Sequence, residues 1–446
     1  MKSVKYLLVL LVIVNSGLCR PSDDEEIINI SEDEDNNSTS KSDTRDEIIE
    51  QKVSYNGAQV LNIQSDNVKE IVDQLLKEGD AEQWRSNTTH ADLFVSKDKA
   101  SKIKSYLANK NVQYRIVIEN VQDAIDSENP HEDEDEDLEG RKGHKMTWRS
   151  YHRLADIYGY LDYLAETYPD LVSVGSVGRS VENREIKFIK ISSGQPNAKK
   201  FWLDGGIHAR EWISPATVTY IISELVENRN SHLSVIDGID FYIVPVVNPD
   251  GYEYTHVGQR LWRKNRSKGN YFCPGTDLNR NWGYKWGGQG TSGDNCREIF
   301  RGTGPFSEPE TRAVSNFILN NKANMKAFVT FHSYGQYILI PFGYQAGVLP
   351  SDYNELERVG RKAAMAMRLS SGASYTVGNS ATLLYAASGG ADDWAKGAAG
   401  IKYAYTIELR DQGSYGFVLP ASYIIPTGKE ALAAIKAIAT TIKKEN

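Results

Sequence analysis

Several short stretches carry side chains that could hold a metal ion and hydrolyse a bond. "GGIHAREW" places His208 and Glu211 three residues apart, "FVTFHSY" carries His332, and "YTIELRD" carries Glu408. "WRKNR" and "DLNRNW" add Arg263, Asn279 and Arg280 in loops. The His–Glu pair is not H-E-x-x-H, in which both histidines share a helical face. With eight histidines in the chain, a lone His-x-x-Glu also has little weight. In combination the residues say more. Two histidines and one glutamate form a zinc set that leaves a position open for water, a further carboxylate can serve as a base, and arginines can bind an anion. A last stretch, "YAASGGADDW", sets Asp392 and Asp393 side by side after glycines, where a solvated loop is the ordinary expectation.

The elements around these residues place most of them at strand ends. "KFWLDGGI", "DFYIVPVVN", "AFVTFHS", "QYILIPF" and "YAYTIELR" read as strands. "SPATVTYIISELVEN" reads as a helix with Ser214 as N-cap and Pro215 at its first position, and "YNELERVGRKAAMAMRLSS" and "GKEALAAIKAIATTIKK" read as two more. Alternating strands and helices predict an α/β domain over 146–446, with a mixed, mostly parallel twisted sheet and helices on both faces. His208, Glu211 and His332 then follow strand carboxyl ends, where open α/β sheets bind ligands.

Ahead of it, residues 51–125 predict a small α+β unit. "AQVLNI" and "YRIVIENV" read as strands, and "SDNVKEIVDQLLKEG" and "SKDKASKIKSYLANKN" as helices N-capped by Ser65 and Ser96. Residues 20–50 and the linker 126–145 include acidic tracts poor in apolar residues, which predicts disorder. Residues 20–140 carry a net charge of −18 and residues 141–446 one of +8. "GRKGHK" closes the second tract as an exposed basic stretch suited to a trypsin-like protease, at Arg141, Lys142 or Lys145.

The first 19 residues, with Lys2 and Lys5 before a short apolar run and small residues, have the layout of a secretory signal peptide. No later stretch is long and apolar enough to span a bilayer, so the expectation is an exported, extracellular protein. Cys19 falls at the cleavage point, and Cys273 with Cys296 predicts one disulfide in an oxidising compartment. Asn29, Asn37, Asn87 and Asn265 begin glycosylation triplets. No motif supports nucleic-acid binding, and a moderately cationic surface alone does not indicate it.

Residues 147–446 resemble the catalytic domain of the secreted metallocarboxypeptidases related to carboxypeptidases A and B. The resemblance rests on "HAREWISPA", "VVNPDGYEYT", "LWRKNRS", "DLNRNW", "FHSYGQ", "SGGADDW" and "ELRDQGSYGFVLPAS". Residues 51–125 are similar in pattern to the family's activation domain, a ferredoxin-like βαββαβ fold. The resemblance implies one zinc ion per chain on His208, Glu211 and His332, with Asp277 accepting a hydrogen bond from His208. It implies Glu408 as general base and Arg263 as oxyanion stabiliser. Asn279, Arg280 and Tyr385 would hold the substrate's terminal carboxylate with Arg210 in support, and Tyr334 would line a neighbouring subsite. It also implies a Cys273–Cys296 disulfide and cis bonds at Ser333–Tyr334, Pro341–Phe342 and Arg410–Asp411.

Asp393 matches a position that is acidic across the family, so its expected role is structural. Asp392 matches the bottom of the side-chain pocket, with Gly343 and Ser380 at its walls. An aspartate there implies preference for C-terminal Lys or Arg, because a buried carboxylate needs a cation. Ser380 stands where basic-specific members usually carry glycine, and Ala391 where they carry serine. The expected protein is a monomeric zymogen acting on peptide and protein C-termini, inhibited by its own pro-region and released by a trypsin-like protease. Two alternatives remain: an enzyme preferring apolar C-termini, and a secreted protein that binds C-termini without cleaving them.

Overall fold

The computed structural model describes residues 52–129, 144–269 and 272–445. The segments expected as signal peptide and acidic tail, and most of the linker, lie outside the described residues. So do Cys19, Asn29, Asn37, Arg141 and Lys142. Lys145 is described and exposed.

The amino-terminal part runs β1 (Gln59–Gln64), α1 (Val68–Lys77), β2 (Glu82–Ser86), β3 (His90–Val95), α2 (Ala100–Asn109), β4 (Gln113–Ile118) and α3 (Val121–Glu128). Its sheet has the order β2-β3-β1-β4, with neighbours antiparallel. Helix α1 buries Val68, Ile71, Val72 and Leu75, the spacing of a single helical face. Both helices start later than their expected caps. The Ser65 hydroxyl accepts from Asn67 N–H at 3.1 Å, and the Ser96 carbonyl accepts from Lys99 and Ala100. Each serine closes a turn ahead of the helix because local hydrogen bonds compete with helical capping.

The larger part begins with α4 (Leu154–Thr167), β5 (Val172–Arg179), β6 (Glu185–Ile191), β7 (Lys199–Asp204), α5 (Ile213–Val226), α6 (Leu233–Ile236), β8 (Ile239–Val244) and α7 (Pro249–Val257). It continues with α8 (Pro309–Asn321), β9 (Met325–His332), β10 (Tyr337–Ile340), α9 (Tyr353–Ser371), β11 (Thr376–Asn379), α10 (Ser380–Leu383), α11 (Ala391–Gly397), β12 (Tyr403–Glu408) and α12 (Ile424–Lys443). The eight-stranded sheet has the order β11-β10-β12-β9-β7-β8-β6-β5. Its central strands β12, β9, β7 and β8 are mutually parallel, and antiparallel pairs occur between β10 and β12 and among β5, β6 and β8. The expected mixed α/β sheet is therefore present.

Strand alternation divides two cores across this sheet. Phe201 and Leu203 of β7 join the apolar cluster that includes Leu161, Ile221, Val359 and Ile435 from helices on one face. Trp202 between them joins Val314, Ile318 and Trp394 on the other. Successive side chains of a strand point to opposite faces, so a strand covered on both sides is apolar throughout.

Ser214 lies inside α5 rather than capping it. Its hydroxyl donates to the Phe331 carbonyl at 2.6 Å and accepts from Gly206 N–H at 3.0 Å. It thereby ties the ends of β7 and β9 together. Gly206 has φ +65°, and a Cβ there would stand 2.9 Å from Pro215 and 3.2 Å from Val246 Cα, so only glycine turns the chain from β7 into the His208 loop.

Cys273 and Cys296 form a disulfide, and all three expected non-proline cis bonds are present. The triplet at Asn265 is not open to a glycan. Its side chain is wholly buried, and Nδ2 donates to Glu308 at 2.8 Å and Glu310 at 3.1 Å, so a glycan there would break two buried hydrogen bonds. Intact-mass analysis before and after endoglycosidase treatment, with peptide mapping, should find Asn265 unmodified.

Candidate active site

The carboxyl ends of three adjacent parallel strands bring the chemistry together. His332 ends β9 and Glu408 ends β12, and the two residues are register partners. The loop after β7 supplies His208 and Glu211 before α5 begins. Asp204, the last residue of β7, accepts from Trp202 Nε1 at 2.5 Å and from Thr330 Oγ1 at 2.6 Å. The Thr330 bond locks β7 against β9 just beneath the site, and the Trp202 bond holds the Asp204 carboxylate in place.

His208 Nε2 lies 3.1 Å from Asp277 Oδ1. That contact places the proton on Nε2 and leaves the Nδ1 lone pair facing inward. His208 Nδ1 is 2.8 Å from Glu211 Oε1 and 3.1 Å from His332 Nδ1, which lies 3.2 Å from Glu211 Oε2. All three residues are buried, with their ligand atoms within 4.8 Å of one another. Hydrogen bonds alone serve such a convergence of lone pairs poorly, whereas a divalent cation serves it well. His332 Nε2 is buried without a hydrogen-bond partner among the described residues, so that ring is held through its Nδ1 side. Two nitrogens, a carboxylate and an Asp-anchored histidine suit zinc. A chelator should abolish activity and Zn2+ restore it, and His332→Ala should lower metal content by elemental analysis without loss of the folded circular-dichroism spectrum.

Around this set is a cavity of about 100 Å3. It is lined by the expected His208, Glu211, Arg263, Asn279, Arg280, His332, Tyr334, Gly343, Ser380, Tyr385, Asp392 and Glu408. Two expected residues lie outside the lining. Asp277 is fully buried behind it, bonding His208 on Oδ1 while Oδ2 accepts from Arg263 Nε at 3.2 Å and Nη2 at 3.0 Å. The Arg263 and Arg280 guanidiniums and His208 hold the Asp277 carboxyl well below the usual range despite its burial. Arg210 is also buried, over the Phe417 ring at 4.2 Å, with its guanidinium paired to Glu82 of the amino-terminal domain.

Arg280 is braced by the Gly290 carbonyl on Nε at 2.9 Å and the Asn279 carbonyl on Nη1 at 2.8 Å. Asn279 Oδ1 accepts from Ala391 N–H at 2.9 Å. Burial pushes the Glu408 carboxyl up to about 8, with His332 and Arg263 pulling it down. Asp392 and Asp393 are both buried rather than solvated. Asp393 accepts from Gly343 N–H at 2.7 Å and Tyr344 N–H at 2.9 Å, which anchors the loop carrying Gly343. Asp392 lines the cavity and forms no ion pair among the described residues. Thr406, absent from the sequence-based set, lines the cavity with it.

The amino-terminal domain closes the mouth of the cavity. Trp84, Arg85 and Ser86 from β2 line it, and Trp84 packs on Phe417 with ring centroids 5.0 Å apart. Tyr334 donates to Asp92 at 2.9 Å and lies under Arg85 at 5.5 Å. At the end of α3, Glu128 pairs with Arg260. Arg260 Nη2 donates to Glu128 at 2.7 Å and Phe417 O at 2.8 Å, Nη1 donates to Arg210 O at 2.9 Å, and the guanidinium stacks on Trp212 at 3.7 Å. Sequence reading did not single out Arg260, Glu128 or Phe417, because their pairing joins positions far apart in the chain. Glu128→Ala leaves Arg260 buried without its counter-charge, a loss of about 3–5 kcal/mol for such pairs. Titration of the isolated pro-region into mature enzyme should then show inhibition weakened at least a hundredfold.

A cavity at strand carboxyl ends, with a two-histidine, one-glutamate metal set and a domain of its own chain across the mouth, defines the class of zymogen-type metallohydrolases. Within that class, the chain belongs to the zinc carboxypeptidase family, which residues 157–434 match, while residues 60–128 match the carboxypeptidase activation peptide. Carboxypeptidase B of Astacus astacus is 47% identical over 67% of this chain and 99% of its own length. Carboxypeptidase B2 of Bos taurus is 40% identical over 79% of this chain and 83% of its own. The crystal structure of thrombin activatable fibrinolysis inhibitor superposes with a TM-score of 0.79 at 37% identity, covering 87% of this chain and 99% of that one. Relatives of similar identity also bear the names carboxypeptidase A4 and carboxypeptidase O. The chain is thus a metallocarboxypeptidase with an activation peptide.

Proposed function

We propose that this enzyme removes C-terminal lysine or arginine from peptides and proteins after release of its pro-region. The observation that carries the reading is Asp392, a buried carboxylate lining the cavity without an ion-pair partner among the described residues. Taking an isolated carboxylate out of water is costly unless a cation meets it, and a basic substrate side chain is that cation. Gly343 beside it leaves the pocket open.

The remaining roles follow from chemistry and position. Asn279, Arg280 and Tyr385 bind the terminal carboxylate, which a guanidinium fork meets with two parallel hydrogen bonds. That requirement restricts cleavage to the last peptide bond. Glu408 takes the proton of the attacking water and returns it to the leaving amine. Arg263, its fork fixed on Asp277, faces the scissile carbonyl oxygen with Nη1. Zinc on His208, Glu211 and His332 would supply a Lewis acid that polarises that carbonyl. Arg210 and Tyr334, occupied by Glu82 and Asp92 in the zymogen, become free, Arg210 to support binding of the terminal carboxylate and Tyr334 to line a neighbouring subsite.

Activation by a trypsin-like protease at Arg141, Lys142 or Lys145 fits the exposure of Lys145. Secretion fits the amino-terminal leader pattern, and no described helix is long and apolar enough to cross a membrane. The mature enzyme is proposed to act as a monomer, which size-exclusion chromatography with light scattering checks.

The deciding test is trypsin-treated protein on peptides differing only in a final Lys, Arg, Phe or Leu, with and without chelator. Chelator-sensitive release of Lys and Arg supports the proposal. Preference for Phe and Leu replaces it with an apolar-specific enzyme, and binding without release from any peptide replaces it with a C-terminus-binding protein.

A further inference from the structure

The side chain opposite Gly343 gives the pocket a finer selectivity. Ser380 opens α10 and is held there by Asn379. Asn379 Oδ1 accepts from Thr382 N–H at 3.1 Å, and its Nδ2 donates to the Phe342 carbonyl at 2.9 Å. The Ser380 side chain therefore cannot swing away with its backbone. A Cβ on Gly343 would stand 3.3 Å from Ser380 Oγ and 3.5 Å from Ser380 Cβ, so Ser380 faces the bare glycine across the pocket at a distance one methyl group would close. Its hydroxyl has no hydrogen-bond partner among the described residues, and it lines the same cavity as Asp392 and Thr406.

The carboxylate is also partly engaged. Asp392 Oδ1 accepts from Asp393 N–H at 2.9 Å. A guanidinium gains most when both carboxylate oxygens are open to its planar fork. An ammonium is a compact charge whose three donors reach oxygens in several directions.

Resting on the basic-specific reading above, we infer that Ser380 is a specificity residue that makes the pocket favour C-terminal lysine over arginine. Its hydroxyl accepts one ammonium proton beside Asp392, and its Cβ and Oγ take up width that a guanidinium plane needs.

The test uses the full chain activated with trypsin and peptides identical except for a final Lys, Arg or Phe. Wild type should release lysine over arginine by about tenfold in kcat/KM, the worth of one hydrogen bond to a charged group. Ser380→Gly should bring the two close to equal by raising arginine and lowering lysine. Ser380→Ala should lower lysine while raising arginine little. Calorimetric titration of free lysine and free arginine into the activated enzyme should give the same order without turnover. Arginine equal to or better than lysine in wild type, or a ratio unmoved in Ser380→Gly, overturns the inference and leaves the basic-specific reading standing. Faster release of Phe than of both removes that reading, and this inference with it.

Discussion

Glu408→Gln should lower kcat/KM by about a thousandfold, within the range of a positioned general base, while zinc content stays at one per chain and peptide binding persists. Glutamine keeps the shape of the side chain and removes only its capacity to take a proton. The position makes this informative, since Glu408 is the register partner of His332 on the neighbouring strand but is not part of the His208, Glu211, His332 cluster. Metal content and catalysis therefore separate in this variant, whereas they fall together in His332→Ala. The pH profile gives a second readout. A base works only when ionised, so activity falls as pH drops through the pKa of Glu408. Burial pushes that value up from 4.5 to about 8, and a divalent cation nearby favours the carboxylate and pulls it back down. The acid limb of kcat/KM should therefore lie between those two values, and it should vanish from the residual activity of Glu408→Gln. Full activity in this variant, or loss of its zinc, would remove Glu408 from the role of base.

The second large effect concerns Asp392. Asp392→Ala should cut release of C-terminal lysine and arginine by about three orders of magnitude, since truncating one member of a buried charge pair costs about 3–5 kcal/mol. Release of leucine or phenylalanine should rise in the same variant, because the pocket then holds no charge to desolvate. Asp393→Ala should behave differently. Its carboxylate bonds two backbone amides of the Gly343 loop, so its loss should depress thermal stability and activity towards all substrates together. A common loss in both variants would mean that Asp392 is structural too. The kcat/KM ratio between Lys and Leu peptides, measured for each variant, distinguishes the cases.

The long apolar strands and amphipathic helices are legible in the sequence. Helix α9 spans Tyr353–Ser371, the residues its periodicity predicts, because a helix with one buried face writes that face at every third or fourth position. Strands β2 and β3 were less legible because "EQWRS" and "HADLFV" are short and only partly apolar. Ser65, Ser96 and Ser214 were misread for one reason. A serine before an apolar run looks like an N-cap, but its hydroxyl can equally serve a turn or, as at Ser214, the carbonyl of a strand more than a hundred residues away. The Asn265 triplet is silent in the same way, since three residues carry no record of burial.

By itself the sequence determined the residue types at the centre: two histidines, a glutamate, the bracing aspartate and arginines, a base, and a pair of aspartates after glycines. Chemical type and local spacing are properties of the chain and need no fold to be read. Which aspartate of the pair braces a loop and which lines a cavity was visible only through resemblance, and burial and hydrogen bonds now give the physical reason. Tertiary structure alone decided that Arg210 and Arg260 are held by Glu82 and Glu128, that Thr406 lines the cavity with Asp392, and that Ser380 stands opposite Gly343. Those contacts join residues whose separation along the chain bears no relation to their separation in space, because parallel strands and their crossovers bring distant segments to one edge.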